Sequence, residues 1–82
     1  MSPRAPRVTG AELVRALQRA GFRIVRIKGS HHHLRREGGP LVTVPVHRGE
    51  IIYPRLLMSI LDQAGLTVEE LRRLLRSNDP SR

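Results

Sequence analysis

FRIVRIKGSHHHLRREGGPLVTV, residues 22–44, is the stretch where apolar residues stop recurring every three or four positions and begin to alternate. Phe22, Ile24, Arg26 and Lys28 fall on one side and Arg23, Val25 and Ile27 on the other, which predicts a first strand. Gly29-Ser30 breaks it, and His31 to Arg36 resumes as a second strand. Glu37-Gly38-Gly39-Pro40 then turns the chain into Leu41-Val42-Thr43-Val44. Three strands in succession predict an antiparallel meander. Pro45 has no N–H for a ladder, so the third strand is expected at an edge or to stop near His47.

Helices flank this core on both sides. Upstream, Thr9 followed by Glu12 is a capping box, and Leu13, Val14, Ala16, Leu17 and Ala20 form an apolar stripe that ends at Gly21. Downstream, after the Arg48-Gly49-Glu50 loop, Leu56, Leu57, Ile60, Leu61 and Ala64 recur at helical spacing before Gly65. Thr67 with Glu70 repeats the capping box ahead of Leu71, Leu74 and Leu75, a short third helix. The order helix, three strands, helix, short helix predicts an α+β domain with the helices on one face of the sheet. Residues 1–8 read as a flexible basic leader, 9–76 as a single domain and 77–82 as a polar tail.

Eighty-two residues suffice for one thin core, and with aromatics at 2% that core is built from Leu, Val and Ile, with Phe22 and Tyr53 its only large rings. The absence of cysteine removes disulfides and thiolate ligands and fits a reducing compartment, so the expected location is cytoplasmic. No apolar run has the length of a membrane span. Fifteen Lys and Arg against seven Asp and Glu give a formal charge of +8, and residues 8–68 alone hold nine bases and four acids. A field of that sign favours polyanions such as nucleic acid, or an acidic protein. All the bases but Lys28 are arginine, which offers forked and permanently charged phosphate ligands; a GC-rich genome produces the same bias.

The chemistry concentrates in Lys28-Gly29-Ser30-His31-His32-His33. Three adjacent histidines between strand-like segments are not placed as a terminal purification tag is. With an unperturbed pKa of about 6.5, histidine both takes and gives a proton near neutral pH. Attack of a ribose 2′-hydroxyl on its own phosphate needs such a base, together with positive charge for the oxyanion, and no metal or cofactor. Alternation puts His32 with Leu34, the strand's only aliphatic residue and so its expected core side. His31 and His33 then look outward beside Arg35. Gly29 and Ser30, at a strand start, are placed to bring backbone N–H groups close to a phosphate, directly after Lys28.

In its ordered motifs the chain resembles the HicA messenger-RNA interferases, the toxins of HicAB toxin–antitoxin modules. The similarity runs from the Leu-rich first helix and Gly21-Phe22, through Lys28-Gly29-Ser30-His31-His32 and Val42-Thr43-Val44-Pro45 with His47, to Ser59-Ile60-Leu61 and Gln63-Ala64-Gly65-Leu66. The resemblance covers roughly residues 9–70. It implies a double-stranded-RNA-binding-domain-like fold, metal-independent cleavage of messenger RNA without a cofactor, and neutralisation by a HicB antitoxin. It also implies that the histidine after Gly-Ser is catalytic, here His31, with His32 the alternative. Lys28, Gly29, Ser30, Arg26 and Arg35 are then the expected RNA-binding set. Where family members commonly carry Gly-Thr-Leu at the start of the second helix, this chain has Arg55-Leu56-Leu57.

Other readings of the same residues stand beside this one. Exposed histidines and arginines on a sheet, Arg36 among them, are often plain solvated charge. His31 and His33 could share a metal ion with His47, although no acidic or cysteine ligand stands near in sequence. An RNA-binding module without catalysis is the rival function, because such a fold reads A-form shape and phosphates unaided. A third reading gives the basic surface to an acidic antitoxin alone.

Overall fold

In the computed structural model of the chain, which describes residues 5–77, Thr9 and Glu12 close the expected capping box. Glu12 N–H donates to Thr9 Oγ1 at 3.2 Å and Thr9 N–H donates to Glu12 Oε1 at 2.9 Å. Helix α1 (Gly10–Arg19) follows and turns Leu13, Val14, Ala16 and Leu17 into the core. Gly10 is fixed by a close approach: a Cβ there would run into the Pro45 carbonyl oxygen and lie 2.9 Å from Val46 Cα. The start of α1 is thereby laid directly on the chain leaving the third strand. Residues 1–4 of the expected leader and 78–82 of the expected tail lie outside the described residues. Val8, at the end of that leader, is buried and its carbonyl accepts from Ile52 N–H at 2.8 Å.

Strands β1 (Arg23–Lys28), β2 (His31–Arg35) and β3 (Leu41–Pro45) form one antiparallel sheet in the order β1-β2-β3. Leu34, Val42 and Val44 point under the sheet and are fully buried. Helix α2 (Pro54–Ala64) packs on β3 through Leu57, Ile60, Leu61 and Ala64, and its C-terminus is capped by Gly65 in the left-handed region. Helix α1 reaches β1 and β3, and α3 (Val68–Arg76) lies against α1 with Val68 and Leu71 buried. All helices thus occupy one side. This is an α+β, double-stranded-RNA-binding-domain-like arrangement, α-β-β-β-α with a short C-terminal helix added.

Two expectations are corrected. The first concerns the faces of β1. The register runs Ile24↔Leu34 and then Arg26↔His33, so one extra residue is accommodated on β1 between those pairs. Such a bulge reverses the alternation beyond it. Ile24 and Ile27 therefore share the helix side, and Arg26 and Lys28 lie on the opposite side instead of beside Ile24. The second concerns the core list: Tyr53 is 78% exposed and Leu56 lies at the surface. Tyr53 is the residue before α2 and makes no side-chain cap bond, and Leu56 precedes the buried stripe that starts at Leu57, so neither is part of the core.

Candidate nucleic-acid interface

The helix-free side of the sheet is built from three cross-strand rows. Lys28, His31 and Pro45 make the first, Arg26, His33 and Thr43 the second, and Arg23, Arg35 and Leu41 the third. Four permanently charged cations and two imidazoles therefore stand on one surface, and none of the nine paired positions is acidic. Lys28, Arg26, Arg35 and His31 are all exposed. The bulge in β1 makes this possible, because strict alternation would have turned Arg26 and Lys28 away from His31.

Gly29-Ser30 is a two-residue hairpin loop between the paired Lys28 and His31. Gly29 has φ +59° and Ser30 does not have positive φ, the backbone of a II′ turn, which demands glycine at its first position. Nothing lies within 4 Å of where a Gly29 Cβ would project, so the outer side of the turn is open to a ligand. The Ser30 carbonyl accepts from Val46 N–H at 2.7 Å, which extends the ladder one step past His31↔Pro45 and anchors the turn to β3.

The three histidines have three different surroundings. His31 is exposed at the end of β2, next to the turn. His32 points to the helix side between Ile27 and Val44, is half-buried, and its Nδ1 is buried without a hydrogen-bond partner. His33 is half-buried on the open side, where Nδ1 lies 2.9 Å from Thr43 Oγ1. Among the described residues no three His, Cys, Asp or Glu side chains are grouped so as to hold a metal ion. His47 stands beyond Pro45, in a groove with Glu50, Ile51, Ile52, Tyr53 and Leu56.

Arg36 takes no part in this surface. Its guanidinium donates to the Ala20 carbonyl at 3.2 Å and the Ala64 carbonyl at 3.3 Å, and sits 4.8 Å from the centroid of the Phe22 ring. It joins the C-terminal ends of α1 and α2, where unsatisfied carbonyls and the helix dipole both favour a cation. A signal for it existed in the sequence: both long helices end in Ala-Gly, leaving their last carbonyls without a side-chain partner of their own. The Thr43 partnership of His33 had no signal before the β2–β3 register was known.

The profile of a bacterial family described as "HicA toxin of bacterial toxin-antitoxin" matches residues 10–66. The chain belongs to this family. The match begins with α1, ends just past the cap of α2, and so spans the whole sheet, the Gly29-Ser30 turn and both long helices. Membership in the HicA family makes the protein the toxin side of a toxin–antitoxin pair, with an antitoxin as its implied partner. No curated protein matches the chain. Among the described residues no helix is long and apolar enough to cross a membrane.

Proposed function

We propose that this HicA-family toxin is a metal-independent endoribonuclease that cleaves messenger RNA in the cytoplasm and is held in check by a HicB-like antitoxin. The observation that carries the reading is the exposed His31 at the edge of a surface of Lys28, Arg26 and Arg35 with no carboxylate among the paired positions. The cations hold the RNA backbone, and the open Gly29-Ser30 turn lets a phosphate approach the start of β2. His31 takes the proton of the ribose 2′-hydroxyl as its oxygen attacks the adjacent phosphorus. The 5′-oxygen leaves, and the product carries a 2′,3′-cyclic phosphate or, after hydrolysis, a 3′-phosphate. What supports His31 over His32 as the base is access: His32 lies on the helix side with its Nδ1 shut in. The same basic surface suits an antitoxin that covers it with acidic side chains.

Cleavage of a mixed single-stranded RNA in the presence of EDTA tests this. His31→Ala is expected to lower the rate by about 10²–10⁴-fold, the usual contribution of a general base, while RNA binding persists. His32→Ala is expected to retain most of the rate. Loss confined to His32→Ala would move the base by one residue. RNA bound but uncut by the native chain would leave a non-catalytic binding module.

A further inference from the structure

His33 is the histidine that neither the family motif nor the proposed base accounts for, and its setting is the most ordered of the three. It lies on the same side of β2 as His31, two residues along the strand, so their Cα atoms are about 6.7 Å apart. Directly opposite on β3, Thr43 Oγ1 engages its Nδ1 at 2.9 Å. A threonine hydroxyl that accepts from Nδ1–H fixes the ring and leaves Nε2 as the nitrogen turned to solvent. Arg26 flanks it from β1, with His31 and Arg35 as its neighbours along β2, so among the described strand positions paired with or flanking His33 on this side every ionisable group is cationic or an imidazole. Beside it is a depression of about 260 Å³ lined by Val25, Arg26, His33 and Leu41. Val25 and Leu41 are exposed apolar side chains there, 48% and 42% accessible.

From this geometry we propose that His33 is the general acid of the RNA cleavage reaction, and that the nucleoside on the leaving side of the scissile phosphate rests on Val25 and Leu41. The inference rests on the nuclease reading with His31 as base. In the concerted step the 2′-oxygen forms its bond to phosphorus as His31 Nε2 removes its proton. The bond from phosphorus to the 5′-oxygen breaks as protonated His33 donates its Nε2 proton to that oxygen. Nδ1–H of His33 stays bonded to Thr43 throughout, and two protons are exchanged with water to reset the pair. A phosphate held between two imidazoles on one strand has its attacking and leaving oxygens each within reach of one ring. Arg26 is beside His33 to take up charge on the non-bridging oxygens.

The test uses a substrate that needs no acid. A chimeric oligonucleotide with a single ribonucleotide, at a position the native protein cuts, is made with either oxygen or sulfur as the 5′-bridging atom. A thiolate leaves without protonation. His33→Ala is expected to slow the oxygen substrate by about 10²-fold or more and to cut the sulfur substrate within about threefold of the native rate. His31→Ala is expected to be slow on both. Thr43→Val should give a smaller loss on oxygen that sulfur also restores, and His33→Gln repeats the comparison if the alanine variant does not fold. His33→Ala equal to native on oxygen, or equally impaired on both substrates, would overturn the assignment. So would sulfur rescue of His47→Ala in place of His33→Ala. A native protein inactive on both substrates would remove the nuclease reading itself, whereas an active one with an indifferent His33 removes only this inference.

Discussion

Arg35 and Arg36 are adjacent and chemically identical, yet the strand's two-residue period sends them to opposite duties. Arg35 is exposed in the row with Arg23 and Leu41, whereas Arg36 spans the carbonyls of Ala20 and Ala64 over the Phe22 ring. Hydrogen bonds from a charged donor are worth about 1.5–3 kcal/mol each, and the Ala64 carbonyl belongs to a buried residue that needs a partner. Arg36→Ala is therefore expected to cost about 2–3 kcal/mol, read as a lower urea midpoint at an unchanged slope. Arg36→Lys should recover only part of this, since one ammonium lacks the fork that meets both carbonyls. Arg35→Ala, by contrast, should shift the midpoint by less than about 0.5 kcal/mol, as surface substitutions do. A reversed ranking would mean that the two helix ends are held together by packing and not by the guanidinium.

At the scale of elements, the parts that were legible in the sequence are those whose cause is local. Both capping boxes, the apolar stripes of α1 and, from Leu57 on, of α2, and the Gly29-Ser30 break depend on residues within a few positions of one another, and these appear where the pattern placed them. The bulge between Ile24 and Arg26 was not legible, because it is a property of the register between two strands and leaves no mark on the alternation of one. The same holds for His33, whose partner is 10 residues away, whereas Arg36, with partners 16 and 28 residues away, was signalled only indirectly by two helices ending in Ala-Gly. The second capping box adds a pH dependence. Thr67 N–H donates to Glu70 Oε1 at 2.8 Å, and this bond, foremost, holds the Glu70 carboxyl below its ordinary value of 4.5. Desolvation opposes it, and the Thr67 hydroxyl, Arg73 and Arg36 assist. A carboxyl with a depressed folded pKa lends stability that is fully present above its unfolded value and is lost as pH falls through the folded one. Glu70→Gln should accordingly be less stable than the native chain at pH 7 and converge with it as acidification passes the ordinary value of 4.5 and then the lowered folded value, followed by thermal unfolding at each pH. A gap that stays constant with pH would show that the carboxylate's charge contributes nothing to the cap.

Over the whole molecule, the helices occupy one side and the basic rows the other, so the formal +8 is not spread evenly in its effects. Arg73 and Arg76 are also exposed, but they lie in the last turn of α3, in the helix layer, where they complement the dipole. If the interface is the open side of the sheet, a phosphate should be neutralised by Arg26 or Arg35 and not by the α3 arginines. Each phosphate neutralised on a single strand contributes about 0.7 to the slope of log K against log salt concentration. In a His31→Ala background, which keeps the RNA intact, changing both Arg26 and Arg35 to Ala should reduce that slope by about 1.4. Changing both Arg73 and Arg76 removes the same formal charge, and should leave the slope nearly unaltered because at physiological salt the field decays within about 8 Å. Equal losses in the two double variants would mean that RNA responds to net charge alone, and the sheet surface would then have no special claim to be the binding site. An unequal loss would tie the RNA to the surface that carries His31 and His33, which is the geometric condition for any cleavage by these side chains.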